Sequence, residues 1–420
     1  MIKVAKSECV NLVNPWRGHL CKLVKHVARA EHLLGDAMKS SLHFLDCDDR
    51  PSTPAGKWWL EFRKRLAAHT SASSLTAADL LVPDCDPMVP HFPAFLEACS
   101  TYPGGKERFF EERERRWGHI WHIVTRLLPQ TLPTQKLVLL DIETDYSPGS
   151  DLVHELKRTS LWLFKEAVVH VSLCMHVSSY RPGIDVSFPA VLPSALGDAS
   201  DRAVSYESRP LLLSFKGRWT HAIRRACFAL DNGNDIRCID SSDEREAAKR
   251  ANGGRFAPVD ESAIKLHVAS RFSLCPRGDA CYSYRMVEAL SCGAIPILIG
   301  DGWVLPFSEG GLIDYREIAI CVRESDEEIR QLPSRLRQIS DERLRAYQQA
   351  GRRVFEAHFA TLDAQAKALL TILAMSREER ESGHQTTDDL AALSFEAHTT
   401  RTPAFQTRRC SRAGSFRFRG

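Results

Sequence analysis

The chain has 420 residues, of which 44% are hydrophobic and 26% are charged, and its formal net charge at pH 7 is +3. A chain of this length and composition can bury substantial cores in two domains. A net charge this small does not by itself indicate binding to nucleic acid. The sequence also lacks the run of ~18 to 20 consecutive apolar residues that a membrane-spanning helix requires.

Residues 1–65 are predicted to form a helix-prone N-terminal extension, with an amphipathic stretch at 58–66. Residues 106–116 alternate both charge signs, which is typical of a solvated helix. Further along, short apolar runs alternate with helical patterns. The predicted elements are strands at 80–82, 137–141, 167–173, 211–215 and 236–239, and helices at 150–165, 222–230, 332–350 and 352–375. This alternation is typical of parallel sheets covered by helices, so the sequence predicts an α/β protein with two βα-repeating halves.

Residues 271–309 have the pattern of a compact strand-loop-helix-strand unit. An apolar strand at 272–275 leads into Pro276-Arg277-Gly278, and a helix at 282–292 ends at Gly293. The following run at 295–299 has no polar alternation, which is typical of a parallel strand buried on both faces. Such units bind ligands in the loop after the first strand and at the first turn of the helix.

The polar residues of this unit suit a nucleoside diphosphate. Backbone N–H groups at a helix N-terminus attract phosphate oxygens, and Arg277 or Arg285 can add bidentate, charge-assisted bonds. Glu288, one turn further along the helix, can accept hydrogen bonds from ribose hydroxyls. The competing interpretation is that Arg285 and Glu288 form an i, i+3 ion pair on a solvated helix face.

The same stretch resembles the exostosin family, glycosyltransferase family 47. The shared elements are Phe272, Pro276-Arg277-Gly278, Ser283-Tyr284-Arg285, Glu288-Ala289-Leu290, Gly293-Ala294-Ile295-Pro296-Ile297 and Leu305-Pro306-Phe307-Ser308-Glu309. Segments 74–83, 181–189 and 213–218 extend the resemblance over most of residues 70–375. The pattern is most similar to the amino-terminal transferase domain of the heparan-synthesising exostosins, which is related to glucuronic acid transfer.

The resemblance implies a GT-B type fold, in which two Rossmann-like lobes face a cleft. Residues 66–180 are expected to form the acceptor-side lobe, 181–375 the nucleotide-sugar-binding lobe, and 376–420 a disordered basic tail. The implied reaction is inverting transfer of a sugar from a UDP-sugar, UDP-glucuronate being one candidate, to a glycan or glycoprotein acceptor. The implied donor-binding residues are Lys216, Arg218, Arg277, Gly278, Ser283, Arg285 and Glu288.

An inverting transfer needs a base on the acceptor side, and a carboxylate is the natural choice. The candidates are Asp141, Glu143 and Asp145, which follow the carboxyl end of a predicted strand, and Asp185 in the family-like segment. Asp185 is equally well placed to cap a turn. The sequence does not choose among the four carboxylates.

No divalent metal or other cofactor is expected, because basic side chains and helix N-termini commonly stabilise the leaving diphosphate in GT-B enzymes. Asp84-Cys85-Asp86 is the competing metal site, although two carboxylates after a strand are usually a solvated loop or a helix cap. The 13 cysteines include no C-x-x-C pair. Among them, Cys227 and Cys238 have a spacing that can close a disulfide loop.

A second hypothesis is a catalytically silent exostosin-like subunit that binds nucleotide sugar weakly or not at all and stabilises a partner transferase. Asp279 favours it, since the animal enzymes have basic residues directly after Pro-Arg-Gly. Retention of Arg277, Arg285 and Glu288 favours the enzyme. No nucleic-acid partner is expected. By resemblance we expect the Golgi apparatus or the secretory pathway. Exostosin-like enzymes are usually type II membrane proteins, so either this chain is soluble or its true amino terminus with the anchor is missing, and we favour the second alternative.

Overall fold

The computed structural model describes residues 40–46, 54–74, 77–84, 135–141, 166–173, 175–190, 206–244, 247, 261–278 and 280–392. The helices predicted at 106–116 and 150–165 lie outside the described residues, as do residues 1–39 and 393–420.

The first sheet has six parallel strands in the described part of the chain, in the order β2-β1-β3-β4-β5-β6. The strands are β1 (Ser41–Asp46), β2 (Ser71–Ala72), β3 (Leu80–Asp84), β4 (Lys136–Asp141), β5 (Val168–Ser172) and β6 (Val186–Ser187). Helix α1 (Pro54–Ala68) connects β1 to β2. Every residue of β5 is buried, as expected for a strand covered on both faces.

The second sheet has five parallel strands among the described residues, in the order β11-β10-β9-β7-β8. The strands are β7 (Leu211–Gly217), β8 (Ile236–Asp240), β9 (Ser270–Pro276), β10 (Ile295–Ile299) and β11 (Ile320–Val322). The helices that follow α1 are α2 (Ile223–Phe228), α3 (Glu261–Ala269), α4 (Tyr284–Ser291), α5 (Asp326–Leu336), α6 (Asp341–Val354), α7 (Leu362–Ala374), α8 (Arg377–Glu381) and α9 (Thr387–Ala391).

The two parallel sheets and their covering helices confirm the predicted fold class, an α/β protein of GT-B type with two Rossmann-like lobes. All seven strands predicted from apolar runs are present, as are the helices predicted around 58–66, 222–230 and 282–292. The run at 295–299 coincides with β10, and each of its five residues is buried.

The predicted lobe boundaries at residues 65 and 180 do not coincide with the edges of the first sheet. Strand β1 belongs to this sheet although it precedes residue 65. Strand β6 also belongs to it although it follows residue 180, since Val186 pairs with Val171 of β5. The first lobe therefore takes its edge strand from the segment that was assigned to the second lobe.

Two helices predicted as continuous are interrupted in the structure. Between α5 and α6, the Ser340 hydroxyl accepts a hydrogen bond from the backbone N–H of Arg343 and starts a new helix. The segment predicted as a helix at 352–375 contains a π-helical turn at Phe355–Phe359, and a fresh N-cap at Thr361 begins α7. Apolar periodicity continues across both caps, and it therefore conceals the breaks.

The expectation of a disordered tail from residue 376 is wrong for its first part. Helices α8 and α9 each begin with a capping box, formed by Ser376 with Glu379 and by Thr386 with Asp389. Arg380 of α8 is buried, and its Nη1 donates to the carbonyl of Ile184 at 2.9 Å. The polar composition of this segment reflects capping and lobe-to-lobe contacts.

A row of phenylalanine rings joins the two lobes. The ring centroids of Phe62 in α1 and Phe188 are 5.7 Å apart, and those of Phe188 and Phe307 are 5.3 Å apart. Phe307 in turn stacks on Phe359 at 6.1 Å. Phe307 has φ = 55°, a conformation rare for residues other than glycine, and packing on both sides holds it there.

No helix in the described ranges is both long enough and apolar enough to cross a bilayer.

Candidate functional site

Four loops that follow the carboxyl ends of β5, β7, β9 and β10 are joined to one another between the two sheets. The N–H of Val177, after β5, donates to the carbonyl of Gly302, after β10, at 2.9 Å. The N–H of Arg277, after β9, donates to the last carbonyl of β10, that of Ile299, at 2.7 Å. Arg224 connects the loops after β7 and β9. In open parallel sheets, ligands bind at this edge.

Exposed apolar side chains gather in the same loops. The described residues include four large hydrophobic side chains that are exposed, and three of them lie here: Val177 at 45%, Trp219 at 57% and Tyr284 at 46%. Ligand pockets are lined mainly by apolar and aromatic side chains with a few polar groups among them. The combination at this edge is therefore typical of a binding site.

Arg277 lies at the edge in a cluster of charged groups from several loops. Its Nη1 is 3.7 Å from Oε1 of Glu324, a residue that follows β11. The other oxygen of Glu324 is 3.9 Å from Nδ1 of His221, in the loop after β7. Glu324 also accepts a 2.8 Å hydrogen bond from the N–H of Asp301. The sequence motifs predict Arg277 but not Glu324 and His221, which lie outside them.

Gly278 allows the loop after β9 to approach its neighbours closely. A Cβ at this position would lie 3.3 Å from Nη2 of Arg224 and 3.4 Å from Oγ1 of Thr220. The Thr220 hydroxyl is buried and has no hydrogen-bond partner in the described structure. The glycine therefore keeps open a space that is lined by hydrogen-bonding groups.

Ser283 occupies the N-cap position of α4 and is 3% exposed. Its backbone is extended, as at most N-caps, but its hydroxyl makes no capping hydrogen bond. Within the described ranges this buried hydroxyl has no partner. An anion at the N-terminus of α4 would supply one, and helix N-termini attract anions.

Arg285 and Glu288 form an ion pair, and this pair is largely buried. Arg285 Nη1 contacts Glu288 Oε2, while Nε2 of His267 is 3.5 Å from the same oxygen. His267 Nδ1 in turn lies 2.7 Å from the hydroxyl of Ser273. Burial raises the pKa of Glu288, but Arg285 and His267 outweigh it and hold this pKa below its ordinary value. The i, i+3 pair anticipated from the sequence exists, but on a buried face instead of a solvated one.

Lys216 and Arg218 leave β7 in different environments. Lys216 is buried, and its Nζ is 2.6 Å from both Glu244 Oε2 and Ser262 Oγ. These contacts already occupy its ammonium group. Arg218 is only partly buried, and its carbonyl accepts a 2.9 Å hydrogen bond from Arg224 Nη1. Arg218 is therefore the better placed of the two to meet a ligand at the edge.

Asp185 is fully buried in a network of hydrogen bonds. Its Oδ2 accepts from Nε of Arg181 at 2.9 Å and from the Arg181 backbone N–H at 3.0 Å. Its Oδ1 accepts from Nη2 of Arg181 at 2.5 Å and from the His170 N–H at 3.1 Å. A general base needs an oxygen that can reach the acceptor. The geometry therefore favours the turn-capping interpretation of Asp185 over its candidacy as the base.

The other base candidates follow β4. Asp141 is the last residue of this strand and pairs with Ser172 of β5, which brings its backbone to the carboxyl edge of the first sheet. The Asp141 side chain lies outside the described residues, as do Glu143 and Asp145. These three carboxylates remain candidates.

The competing metal motif begins at the end of β3. Asp84 closes this strand beside Asp46 of β1, while Cys85 and Asp86 lie outside the described residues. Within the ranges that the structure describes, no three His, Cys, Asp or Glu side chains cluster as a metal would require. Metal-independent donor binding remains a prediction.

His176, in the loop after β5 of the first lobe, contacts the loop after β10 of the second lobe. It pairs in a β-bridge with Trp303, and its ring lies so close to Gly302 that a Cβ there would be 2.3 Å from Nε2. Its Nδ1 is 2.8 Å from the Ser178 hydroxyl. Burial, followed by the positive charge of Arg277, lowers the pKa of His176 and favours the neutral imidazole. No motif identified this histidine from the sequence.

The disulfide suggested for Cys227 and Cys238 is not formed. Both cysteines are free and buried, in α2 and β8 respectively. Burial raises the pKa of the Cys227 thiol to about 12, so this thiol stays protonated. Cys275, Cys281 and Cys292 near the site are also free and buried, as expected for small packing residues.

Comparison with known proteins gives a family match across the centre of the chain. Residues 149–339 match the Exostosin GT47 domain. This range includes β5 to β11 and the loops that form the site.

Curated relatives align with about half of the chain. Exostosin-1a of Danio rerio is 29% identical over 228 residues, covering 50% of this chain and 30% of the relative. Exostosin-1 of Drosophila melanogaster is 30% identical over 220 residues, with coverages of 49% and 28%. The chain therefore spans less than a third of the length of these relatives.

Two solved structures are also similar to this chain. A glycosyltransferase from Rickettsia africae has a TM-score of 0.41 and 9% identity, covering 80% of this chain and 99% of that chain. Sucrose-phosphate synthase from Thermosynechococcus elongatus has a TM-score of 0.38 and 13% identity, with coverages of 79% and 96%. With a matching domain at 149–339 and relatives aligned along about half its length, the chain contains a domain of the exostosin family.

Proposed function

We propose that this chain is an exostosin-like glycosyltransferase that transfers a sugar from a nucleotide-sugar donor to a glycan or glycoprotein acceptor. The exostosin-family domain at 149–339 supports the reaction class. The observation that carries the proposal is the proximity of Arg277 and Gly278 to the N-cap of α4, where the Ser283 hydroxyl is buried. The Gly278 N–H donates to the carbonyl of Tyr282 at 3.3 Å, which draws the loop against this helix start.

The donor diphosphate is proposed to bind between the Arg277 loop and the first turn of α4. Arginine donates two parallel hydrogen bonds to phosphate, and helix N–H groups add further donors. The Ser283 and Thr220 hydroxyls have no protein partner among the described residues, and phosphate oxygens would satisfy them. Trp219 and Tyr284 supply exposed aromatic surface for a base or sugar ring.

The donor is proposed to be a UDP-sugar, with UDP-glucuronate as the first candidate. Its support is the resemblance to the heparan-synthesising exostosins, together with Arg218 and Arg277 near the edge. In the reaction, the acceptor hydroxyl oxygen attacks the anomeric carbon while a carboxylate takes its proton. The bond to the diphosphate breaks, and the leaving group keeps the electron pair. Arg277 and the α4 N-terminus stabilise its growing negative charge without a divalent metal.

The base is proposed to come from Asp141, Glu143 or Asp145, because the Asp185 oxygens are already bound by protein donors. We further propose that the enzyme acts in the secretory pathway, in the Golgi apparatus, as the resemblance implies.

The alternative, a silent subunit that supports a partner transferase, is favoured by the charge pairing at the site. Glu288 contacts Arg285, and Glu324 lies 3.7 Å from Arg277. Paired arginines attract a diphosphate less strongly than free ones. A silent subunit would keep the fold and its lobe contacts but would not release the sugar.

The test incubates the protein with a panel of UDP- and GDP-sugars, with and without oligosaccharide acceptors, and measures nucleotide release and product. The enzyme hypothesis predicts release from at least one UDP-sugar and faster release when the right acceptor is present. UDP binding without any turnover would instead identify the silent subunit. Absence of both binding and turnover would contradict the enzyme hypothesis and would agree with a silent subunit that does not bind nucleotide sugar.

A further inference from the structure

Arg224 contacts both basic loops of the candidate site from the side of α2. Its Nε donates to the carbonyl of Arg277 at 2.8 Å, and its Nη2 donates to the carbonyl of Pro276 at 3.2 Å. Its Nη1 donates to the carbonyl of Arg218 at 2.9 Å. One guanidinium therefore fixes the backbone of the loop after β7 and of the loop after β9.

An aromatic ring and two glycines surround the guanidinium group of Arg224. Its guanidinium carbon lies 5.6 Å from the ring centroid of Phe215, over the ring face. A glycine lies close to each terminal nitrogen of the guanidinium group. A Cβ at Gly217 would be 3.3 Å from Nη1, and a Cβ at Gly278 would be 3.3 Å from Nη2. Close packing against two glycines and an aromatic ring fixes the orientation of the planar group.

We propose that Arg224 is a positioning residue of the donor site, which holds Arg218 and Arg277 at one separation so that both act on the same diphosphate. Arg224 donates its hydrogen bonds to backbone carbonyls. It therefore acts on the diphosphate through the two loops and not by direct contact. This inference rests on the proposed function, because it requires a diphosphate ligand at the edge.

A lysine cannot replace Arg224 in this role. Three carbonyls on two loops are reached by three separate nitrogens of one rigid plane, whereas an ammonium group is a single point at the end of a flexible stem. Arg224→Lys therefore keeps the charge but frees the two loops to move relative to each other. Misplacement of binding groups by about 1 Å is enough to reduce function about a hundredfold.

The experiment measures UDP affinity by calorimetry and the melting temperature for the parent, Arg224→Lys and Arg224→Ala. Arg330→Lys is the control, because Arg330 is an exposed arginine on α5 of the same lobe. We expect Arg224→Lys to lose about tenfold or more in UDP affinity, while the control keeps the parent value. Added guanidinium ions should restore part of the affinity lost by Arg224→Ala.

A double-mutant cycle separates positioning from general stability. In the parent background, Arg218→Ala and Arg277→Ala should be non-additive for UDP binding, because both contact one held ligand. In the Arg224→Lys background their effects should become additive. If Arg224→Ala does not fold, the proposal is tested by Arg224→Lys and by this double-mutant cycle.

Two outcomes would remove the role of Arg224, and a third would overturn the proposed function. A parent that binds UDP, together with an Arg224→Lys variant that binds it within twofold, removes the role of Arg224 but leaves the donor site. Unchanged coupling in the Arg224→Lys background removes it too. A parent that binds no UDP overturns the proposed function itself.

Discussion

Arg285 and Glu288 share one buried ion pair, and this pairing limits what each can offer a ligand. The Glu288 oxygen that contacts Arg285 also lies 3.5 Å from Nε2 of His267. From the sequence alone, Arg285→Ala is expected to weaken UDP binding by about 1.5 to 3 kcal/mol without affecting the fold. The structure corrects the second half of that expectation, because removing one partner leaves the other charge buried.

Arg285→Ala is therefore predicted to lower the free energy of unfolding by about 3 kcal/mol. The double variant Arg285→Met, Glu288→Met should recover most of this loss, because no unpaired charge then remains. Urea unfolding followed by circular dichroism measures both values. A single variant as stable as the parent would mean that the pair contributes nothing to folding, and its role would then be confined to the ligand.

Gly278→Ala tests the close approach of the loop after β9. The added methyl would sit 3.3 Å from Arg224 Nη2 and 3.4 Å from Thr220 Oγ1, where the proposed phosphate oxygens also lie. We predict about a tenfold loss of UDP affinity, or about 1.4 kcal/mol, with a melting temperature close to that of the parent. Gly233→Ala, whose new Cβ would meet nothing within 4 Å but would be strained at φ = 69°, is the contrasting control. Gly233→Ala should lower the stability of the protein and leave its UDP affinity unchanged. A Gly233→Ala variant that kept its stability but lost UDP affinity would contradict the role given to packing at Gly278.

At the scale of elements, apolar runs predicted seven of the eleven strands among the described residues, but they missed the short strands β2, β6 and β11, and they missed β1, which lies in the segment predicted to be helix-prone. Strand β10 and its neighbours are buried on both faces, and an uninterrupted apolar run such as 295–299 has few other structural interpretations. The helix breaks at Ser340 and Thr361 were missed, because a single hydroxyl cap does not disturb apolar periodicity.

The candidate site was only partly predictable for a different reason. Arg277, Ser283 and Arg285 lie within one short motif, where sequence neighbours are also spatial neighbours. Arg224 is more than fifty positions before the Arg277 carbonyl that it binds, and Glu324 is more than forty after Arg277. Spacing within a motif does not reveal contacts that the sheet topology creates.

The cap at Thr361 makes a prediction at this scale. Its hydroxyl accepts a 3.0 Å hydrogen bond from the N–H of Ala364 at the start of α7. Thr361→Ala should lower the free energy of unfolding by about 1 kcal/mol, and Thr361→Ser should restore most of it. Denaturant unfolding of the three proteins measures the difference. Equal losses in the serine and alanine variants would show that the methyl group, and not the hydroxyl cap, stabilises this helix start.

At the scale of the whole molecule, Glu309 links the two lobes. It is fully buried, and its Oε1 accepts from the Ser187 N–H at 2.7 Å and from the Tyr180 hydroxyl at 3.3 Å. Burial raises the pKa of Glu309 to about 8. The hydrogen bonds from Ser187 and Tyr180 lower this pKa, but by less than burial raises it. The folded protein therefore keeps this carboxyl protonated at a pH where the unfolded chain ionises it.

The contribution of Glu309 to stability depends on pH. Because the Glu309 pKa is raised on folding, its contribution to stability is complete below about pH 4.5 and is lost as the pH rises towards 8. Glu309→Gln should remove this dependence, so its stability relative to the parent should rise by about 2 to 4 kcal/mol across that window. Unfolding at pH 5, 6, 7 and 8 measures the difference, with the exposed Glu317→Gln as control. A constant difference between variant and parent would contradict the raised pKa.

We propose that a nucleoside diphosphate binds at the carboxyl edge of the second sheet, through Arg277 and the N-terminus of α4, without a metal ion. Calorimetric titration of UDP in excess EDTA, into the parent, Arg277→Ala and Arg330→Ala, tests it most directly. We expect UDP to bind to the parent and to Arg330→Ala, and we expect Arg277→Ala to lose about 1.5 to 3 kcal/mol of binding free energy. Equal affinities for all three proteins, or binding that returns only with Mn²⁺ and only while Asp84 and Asp86 are intact, would contradict it.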